Sequence, residues 1–156
     1  MISNFEFTSD EEFLGFIATY LQSDDKLVSD LANLSSLIFH YLDDVSWCGF
    51  YLLDNDELYL GPFQGKAACT KIKIGKGVCG SAYKRGETLI VDDVNTFPGH
   101  IACDSASKSE IVIPLEGFGV LDIDSTSFSR FGGREKALLE EVMNLLSKKL
   151  NCSNAY

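Results

Sequence analysis

The chain has 156 residues, of which 46% are hydrophobic and 23% charged, which is enough apolar material for one buried core and no surplus for a second. We therefore expect a single domain over residues 1–156. The 13 basic and 23 acidic residues give a formal net charge of −10, which repels a phosphate backbone and argues against nucleic acid as a partner. No apolar stretch reaches the roughly 20 residues of a membrane span, and the N-terminus lacks an export signal. We expect a cytoplasmic protein without membrane contact.

The first 42 residues predict two helices. Ser9, with Glu12 three positions later, has the spacing of a capping box before a run of aromatic and aliphatic residues. From Lys26 to Leu42 the apolar residues recur every three or four positions, which is typical of one buried helical face. These helices form an N-terminal layer.

The middle of the chain predicts strands, and the end predicts another helix. Segments 45–53 and 57–63 flank a short polar turn and indicate an antiparallel hairpin. Residues 134–150 carry a stripe of leucines and valine with helical spacing. Further strands are predicted at 69–74, 88–93, 109–115 and 119–124. This order favours an α+β fold over a parallel, doubly wound sheet.

The run GKGVCG, from Gly75 to Gly80, has the glycine spacing of a dinucleotide-binding loop. The segment before it alternates polar and apolar residues, unlike a strand buried on both faces. The next acidic pair, Asp92 and Asp93, also comes too early for a ribose contact. We therefore reject a nucleotide cofactor and predict a tight strand-to-helix turn in which glycine supplies unusual backbone angles.

Three of the five cysteines are candidates for chemistry. Cys103 lies in the polar loop GHIACDSAS, where a thiol can ionise and attack, although a small buried filler is an equal alternative. Cys69 heads a predicted strand, and Cys79 lies near the start of a predicted helix, whose partial positive charge could lower its thiol pKa. Either could resolve an oxidised Cys103. Cys48 and Cys152 are interpreted as structural or incidental.

A zinc site is the alternative use of these thiols. His100, Cys69, Cys79 and Cys103 are ligands of the right type, but they lack the short ligand pairs of structural zinc sites. We predict no metal.

Asp122 and Asp124 share one face of a predicted strand, because side chains alternate along it. They indicate either a solvated edge face or an acidic pocket whose crowded carboxyls have raised pKa values and can hold a proton. Glu110, at the start of the neighbouring predicted strand, could join them.

Six segments between Trp47 and Ser125, half of the chain, together resemble the free methionine-R-sulfoxide reductase family. The resemblance implies a GAF-type domain with a central antiparallel sheet and with the N- and C-terminal helices packed on one side. The segments are WCGFY, LGPFQGKAAC, IGKGVCG, VDDV, FPGHIACDSASKSEIVIPL and GVLDIDS.

By this resemblance Cys103 is the nucleophile, Cys69 the resolving thiol, and Cys79 an auxiliary or alternative one. The family chemistry would turn Cys103 into a sulfenic acid as methionine leaves, and Cys69 would condense with it to a disulfide that thioredoxin reduces. No metal or organic cofactor is expected.

The resemblance also assigns an acidic pocket and an aromatic wall. Glu110, Asp122 and Asp124 would protonate the sulfoxide oxygen and receive the substrate ammonium. Trp47 and Tyr51, four apart on one strand face, would line the side that receives the methyl group, with a role in the aromatic core as the alternative.

The expected activity is therefore reduction of free L-methionine-R-sulfoxide, with thioredoxin as the reductant and a homodimer as an option. The alternative function is a non-catalytic GAF sensory module that binds a small ligand or senses oxidants through the same cysteines.

Overall fold

The computed structural model describes residues 6–100, 103 and 105–153. The four α-helices are α1 Asp10–Tyr20, α2 Leu27–Tyr41, α3 Gly77–Arg85 and α4 Gly133–Ser153. The six strands are β1 Trp47–Asp54, β2 Glu57–Gln64, β3 Lys71–Lys73, β4 Leu89–Val91, β5 Ser109–Leu115 and β6 Gly119–Ser125. They form one antiparallel sheet in the order β3-β2-β1-β6-β5-β4. The predicted α+β class is confirmed.

The start of α1 contains half of the predicted capping box. The Ser9 hydroxyl accepts a hydrogen bond from the Glu12 amide at 3.1 Å. The Glu12 carboxylate turns back by one more residue than a regular box requires and accepts from the Thr8 amide at 2.8 Å. The first bond satisfies an amide that the first helical turn leaves without a partner, and the second fixes the residue before the N-cap.

The two edge strands are shorter than the sequence pattern predicts. β3 pairs only over Lys71–Lys73, and β4 only over Leu89–Val91. The chain leaves β4 because the Asp93 carboxylate accepts from the Asn95 amide at 3.0 Å and caps a single 3₁₀ turn at Val94–Thr96. A side chain that offers the backbone a local partner competes with the sheet ladder.

The sheet separates two apolar layers. Helices α1, α2 and α4 cover one face, and α3 covers the other. In β6, Leu121 and Ile123 are fully buried in the first layer, which leaves Asp122 and Asp124 on the face toward α3. The N- and C-terminal helices therefore pack on one side, as the sequence predicts, and the polar face of β6 is free to form a site beneath α3.

The glycine-rich run forms the predicted turn from β3 into α3. Gly75 and Gly77 have φ of +86° and +61°, which non-glycine residues rarely adopt. Gly80 needs its lack of a side chain for a different reason: a Cβ there would lie 2.3 Å from the Lys73 carbonyl oxygen. The run brings α3 close against the strand that precedes it.

Within the described part of the chain, none of the helices combines the length and the apolar character needed to cross a membrane.

Candidate active site

A small cleft of about 50 Å³ opens between α3, the loop before β5, and the sheet. Of the eight residues that the sequence analysis assigns to a site, seven line this cleft: Trp47, Tyr51, Cys79, Cys103, Glu110, Asp122 and Asp124. The eighth, Cys69, joins the group through a disulfide to Cys103. The site is therefore assembled from three strands, one helix and two loops.

The register of the sheet places the carboxyl groups together. Glu110 of β5 is paired with Asp124 of β6, and Asp122 lies two residues away on the same face. Glu110 and Asp122 are each 6% exposed, and β6 is a central strand. The solvated-edge alternative therefore does not hold for Asp122. The turn that joins β5 to β6, at the other end of these strands, lies away from the carboxyls.

Burial dominates the electrostatics of this group. Loss of contact with water raises the pKa of Glu110 well above its usual value, and the negative charges of Asp122 and Asp124 raise it further. Burial also raises the pKa of Asp122. The group therefore holds a proton more tightly than isolated carboxyls do.

Cys79 extends the acidic group from α3. Its thiol donates a long hydrogen bond to Glu110 Oε1, with 3.9 Å between sulfur and oxygen. Burial raises the pKa of the Cys79 thiol well above its usual value, and the nearby charges of Asp122 and Glu110 act in the same direction. The expectation that the helix start lowers this pKa is wrong, because desolvation and neighbouring carboxylates outweigh the helix charge.

Cys69 and Cys103 form a disulfide with a Cα–Cα distance of 5.5 Å, although 34 residues separate them in the chain. Both cysteines are half-buried. In this form they offer no thiolates, so the four-ligand zinc set considered with His100 and Cys79 is not available. Cys48 is free and buried, and Cys152 is free and exposed.

Trp47 and Tyr51 both line the cleft and belong to the buried layer, at 5% and 2% exposure. Their rings stack with centroids 5.9 Å apart. The indole of Trp47 donates to the Lys66 carbonyl at 3.0 Å, and the Tyr51 hydroxyl donates to the Cys69 carbonyl at 2.9 Å. These two bonds attach the segment that carries Cys69 to the sheet.

His100 lies at the acidic group as well. Its Nε2 is 4.0 Å from Glu110 Oε2. Burial lowers the pKa of His100, while the charge of Asp122 acts in the opposite direction. The imidazole is therefore biased toward its neutral form.

Ser107 is a cleft residue that sequence reasoning did not identify. Its side chain is buried and lines the cleft, and its hydroxyl has no hydrogen-bond partner among the described residues. The same holds for Asp122 Oδ1. No pattern marks Ser107 in advance, because a serine in a polar loop is usually solvated. Both are buried polar atoms of cleft-lining residues that are left without a hydrogen bond.

Residues 28–150 match the family model described as a GAF domain. The fold and the site beneath α3 thus define a GAF-domain protein. The chain is 48% identical over 134 residues to free methionine-R-sulfoxide reductase of Escherichia coli (strain K12), with 83% of this chain and 81% of that protein covered. The chain belongs to the free methionine-R-sulfoxide reductase family, which confirms the resemblance found in the sequence.

Two further relatives agree with this assignment. Free methionine-R-sulfoxide reductase of Saccharomyces cerevisiae (strain ATCC 204508 / S288c) is 47% identical over 133 residues, with 78% of this chain and 74% of that protein covered. The X-ray structure of free methionine-R-sulfoxide reductase from Neisseria meningitidis, in complex with its substrate, superposes with a TM-score of 0.91 at 38% identity and covers 98% of both chains.

Proposed function

We propose that this chain is an enzyme that reduces free L-methionine-R-sulfoxide to methionine, with Cys103 as the nucleophile. The observation that carries the proposal is the Cys69–Cys103 disulfide, whose Cys103 end borders a cleft with protonatable, buried carboxyls. A sulfoxide sulfur accepts a thiolate only when its oxygen is protonated as it leaves, so both groups are needed in one place.

In the first step the Cys103 sulfur attacks the sulfoxide sulfur. The oxygen receives a proton from the acidic group and moves to Cys103, which becomes a sulfenic acid as methionine is released. Glu110 is the proposed acid, because burial and the charges of Asp122 and Asp124 raise its pKa well above the usual range and outweigh the opposite effect of the hydrogen bond from Cys79. The sulfoxide is reduced by two electrons and Cys103 is oxidised by two.

In the second step the Cys69 thiol attacks the Cys103 sulfenic acid, forming the disulfide and releasing water. Tyr51 supports this step, since its hydroxyl holds the Cys69 carbonyl at 2.9 Å. Thioredoxin is the proposed reductant, which exchanges its dithiol for the protein disulfide. Cys79 is the auxiliary thiol, less reactive than an exposed thiol because its pKa is raised.

Substrate recognition is assigned to the walls of the cleft. Trp47 and Tyr51 would contact the methyl group, and the carboxylate of Asp124 or Asp122 would receive the ammonium. The cleft of about 50 Å³ has room for roughly one or two water molecules and not for an amino acid. Reduction of the disulfide is therefore proposed to precede substrate entry, because it frees the Cys103 loop from the Cys69 segment.

The experiment is a thioredoxin-coupled assay that follows consumption of NADPH. Free L-methionine-R-sulfoxide should be consumed over many turnovers, whereas the S epimer and peptide-bound sulfoxide should not. Oxidation that stops after one equivalent per chain would instead support the sensory-module alternative. Equal rates on a peptide substrate would contradict an enclosed site.

Two variants separate the roles of the thiols. Cys103→Ser should abolish both the first turnover and steady-state reduction, because the strong nucleophile is lost. Cys69→Ser should still form about one equivalent of methionine per chain but cycle slowly, since the sulfenic acid must wait for another thiol. Cys152→Ser, at an exposed free thiol, is the matched control and should behave like the unchanged protein. A Cys103→Ser protein that turns over would refute the assignment.

Association into a homodimer remains a prediction, to be checked by analytical ultracentrifugation of the reduced and disulfide forms.

A further inference from the structure

The cleft contains three potential metal ligands from three different elements. Cys79 of α3, Glu110 of β5 and Asp122 of β6 each offer one ligand atom, and these atoms all lie within 4.8 Å of one another. The three residues are 4%, 6% and 6% exposed. They are held by a helix and two neighbouring central strands rather than by a mobile surface segment, so their spacing is built into the fold.

The carboxyl group of one of the three ligands, Asp122, is incompletely satisfied. Asp122 Oδ1 is buried, and none of the described residues gives it a hydrogen bond. A buried acceptor without a partner is destabilising, and a cation bound to the carboxyl group would offset that cost. Asp122 is one of the residues that line the cleft.

The size of the cleft favours an ion. A volume of about 50 Å³ is closed to an amino acid in the disulfide form but holds one cation with roughly one water molecule. A cation would also supply the positive charge that a group of buried carboxyls lacks. The cleft of the disulfide form therefore has room for an ion, and the three ligands are present after reduction as well, because none of them is a bridged cysteine.

The ligand types decide which ion. Carboxylates alone suit Mg²⁺ and Ca²⁺, whereas the sulfur of Cys79 selects thiophilic ions such as Zn²⁺ or Cd²⁺. Three protein ligands and one open position are a common arrangement for zinc. His100, whose Nε2 is 4.0 Å from Glu110 Oε2, lies close enough to the group to approach the open position.

We propose that Cys79, Glu110 and Asp122 form an inhibitory site for one thiophilic divalent cation, of the Zn²⁺ class, inside the substrate cleft. The cation is not a cofactor. When the cation is bound, the carboxyl groups that hold it cannot protonate the sulfoxide, and the cation occupies volume that the substrate needs. Binding depends only on the three ligands, whereas the inhibitory consequence rests on the proposed function.

Binding is tested on the disulfide form, in which Cys69 and Cys103 have no thiols to offer. A Cys152→Ser background removes the exposed thiol. Equilibrium dialysis against Zn²⁺ should give one bound ion per chain, and titration with Cd²⁺ should produce the ultraviolet absorption of a cadmium thiolate. Because no substrate is used, this result stands whether or not the chain reduces methionine sulfoxide. Absence of binding would overturn the proposal.

Three variants locate the ion. Cys79→Ser should remove the cadmium thiolate band and weaken Zn²⁺ binding about 10-fold or more, as expected for loss of a ligand. Asp122→Asn should weaken binding but keep the band, because the sulfur remains, and it also serves if Cys79→Ser does not fold. Cys48→Ala, in the opposite apolar layer, should change neither. A band that survives Cys79→Ser, or disappears with Cys48→Ala, would place the ion elsewhere and refute the site.

Inhibition is tested on the reduced enzyme in the thioredoxin-coupled assay. Zn²⁺ should raise the apparent KM for methionine sulfoxide without changing kcat, and a chelator should reverse the effect. The inhibition constant for Zn²⁺ should rise in Cys79→Ser by the factor by which its binding weakens, whereas an ion held by the reduced Cys69 and Cys103 would inhibit both proteins equally. Thioredoxin-driven reduction of an unrelated disulfide is the control for zinc acting on the coupling proteins. Bound Zn²⁺ that leaves KM unchanged would overturn the inhibitory role while leaving the metal site and the reductase activity both intact.

Discussion

Glu110 combines a functional benefit with a cost in stability. Its carboxyl is buried beside Asp122 and Asp124, and this environment raises its pKa. The folded protein therefore retains a proton that the unfolded chain releases at lower pH. Stability is unaffected below the usual carboxyl pKa and falls as pH rises from that value toward the raised one. A site that keeps an acid protonated must accept this loss near neutral pH.

Glu110→Gln should accordingly have opposite effects on activity and stability. Turnover should fall roughly 10²-fold or more, because the amide cannot donate an acidic proton. The melting temperature should rise at neutral pH and change little at low pH; each 1 kcal/mol gained corresponds to roughly 2–4 °C for a chain of this size. Glu116→Gln, at an exposed position just beyond the same strand, is the matched control and should alter neither. Full activity in Glu110→Gln would transfer the acid role to Asp124.

Helix α3 owes its position to close contact with the strand before it. Gly80 lies against the backbone of Lys73, and the Gly75 amide donates to the Gly80 carbonyl at 2.8 Å. Val78 and Cys79, which line the cleft, directly precede Gly80 in α3, so their positions depend on this contact. The geometry of the site depends on how closely this helix approaches the sheet.

Gly80→Ala should disturb that approach. Its Cβ would meet the Lys73 carbonyl oxygen at 2.3 Å, so the helix must move, with an expected loss of about 1–3 kcal/mol in the free energy of unfolding. The KM for the sulfoxide should rise because Cys79 and Val78 move with the helix. Gly15→Ala is the control: it lies at an exposed position of helix α1 with open space around a Cβ, and should stabilise the protein by about 0.5–1 kcal/mol. Urea titration measures both, and equal effects would contradict the close-contact explanation.

The whole molecule has two apolar layers that share one sheet. β1, β5 and β6 contribute side chains to both layers through strand alternation. Loss of either layer removes the support of the other, since the same strands hold both. The disulfide adds a constraint on the α3 side of the sheet only.

We therefore expect residues 1–156 to unfold as one cooperative unit. The single tryptophan, Trp47, lies in the layer beneath α3, so its fluorescence reports on that side, whereas far-ultraviolet circular dichroism reports on all helices. The two transitions should coincide in urea, in both the disulfide and the reduced form. Reduction should lower the free energy of unfolding by roughly 2–4 kcal/mol, given the loop that the bridge closes. Separated transitions would indicate two independent units.

Local patterns in the sequence determined the helices and most of the strands. Helical spacing predicted α2 and α4, alternation placed Asp122 and Asp124 on one strand face, and the glycine run predicted the turn into α3. The shortened β3 and β4 escaped prediction, because the pairing of an edge strand ends where local partners such as the Asp93 carboxylate compete with the sheet.

The motifs of the sequence also identified the candidate site residues. They did not predict the protonation of these residues or their hydrogen bonding. The cleft contact of Ser107, the raised pKa of Cys79 and the unpartnered oxygen of Asp122 follow only from the tertiary structure. The disulfide between Cys69 and Cys103, which are 34 residues apart, is a further example. At the level of sequence, only the family resemblance implied this pairing. Backbone conformation depends on neighbours along the chain, whereas desolvation and charge interactions depend on neighbours in space that belong to distant segments.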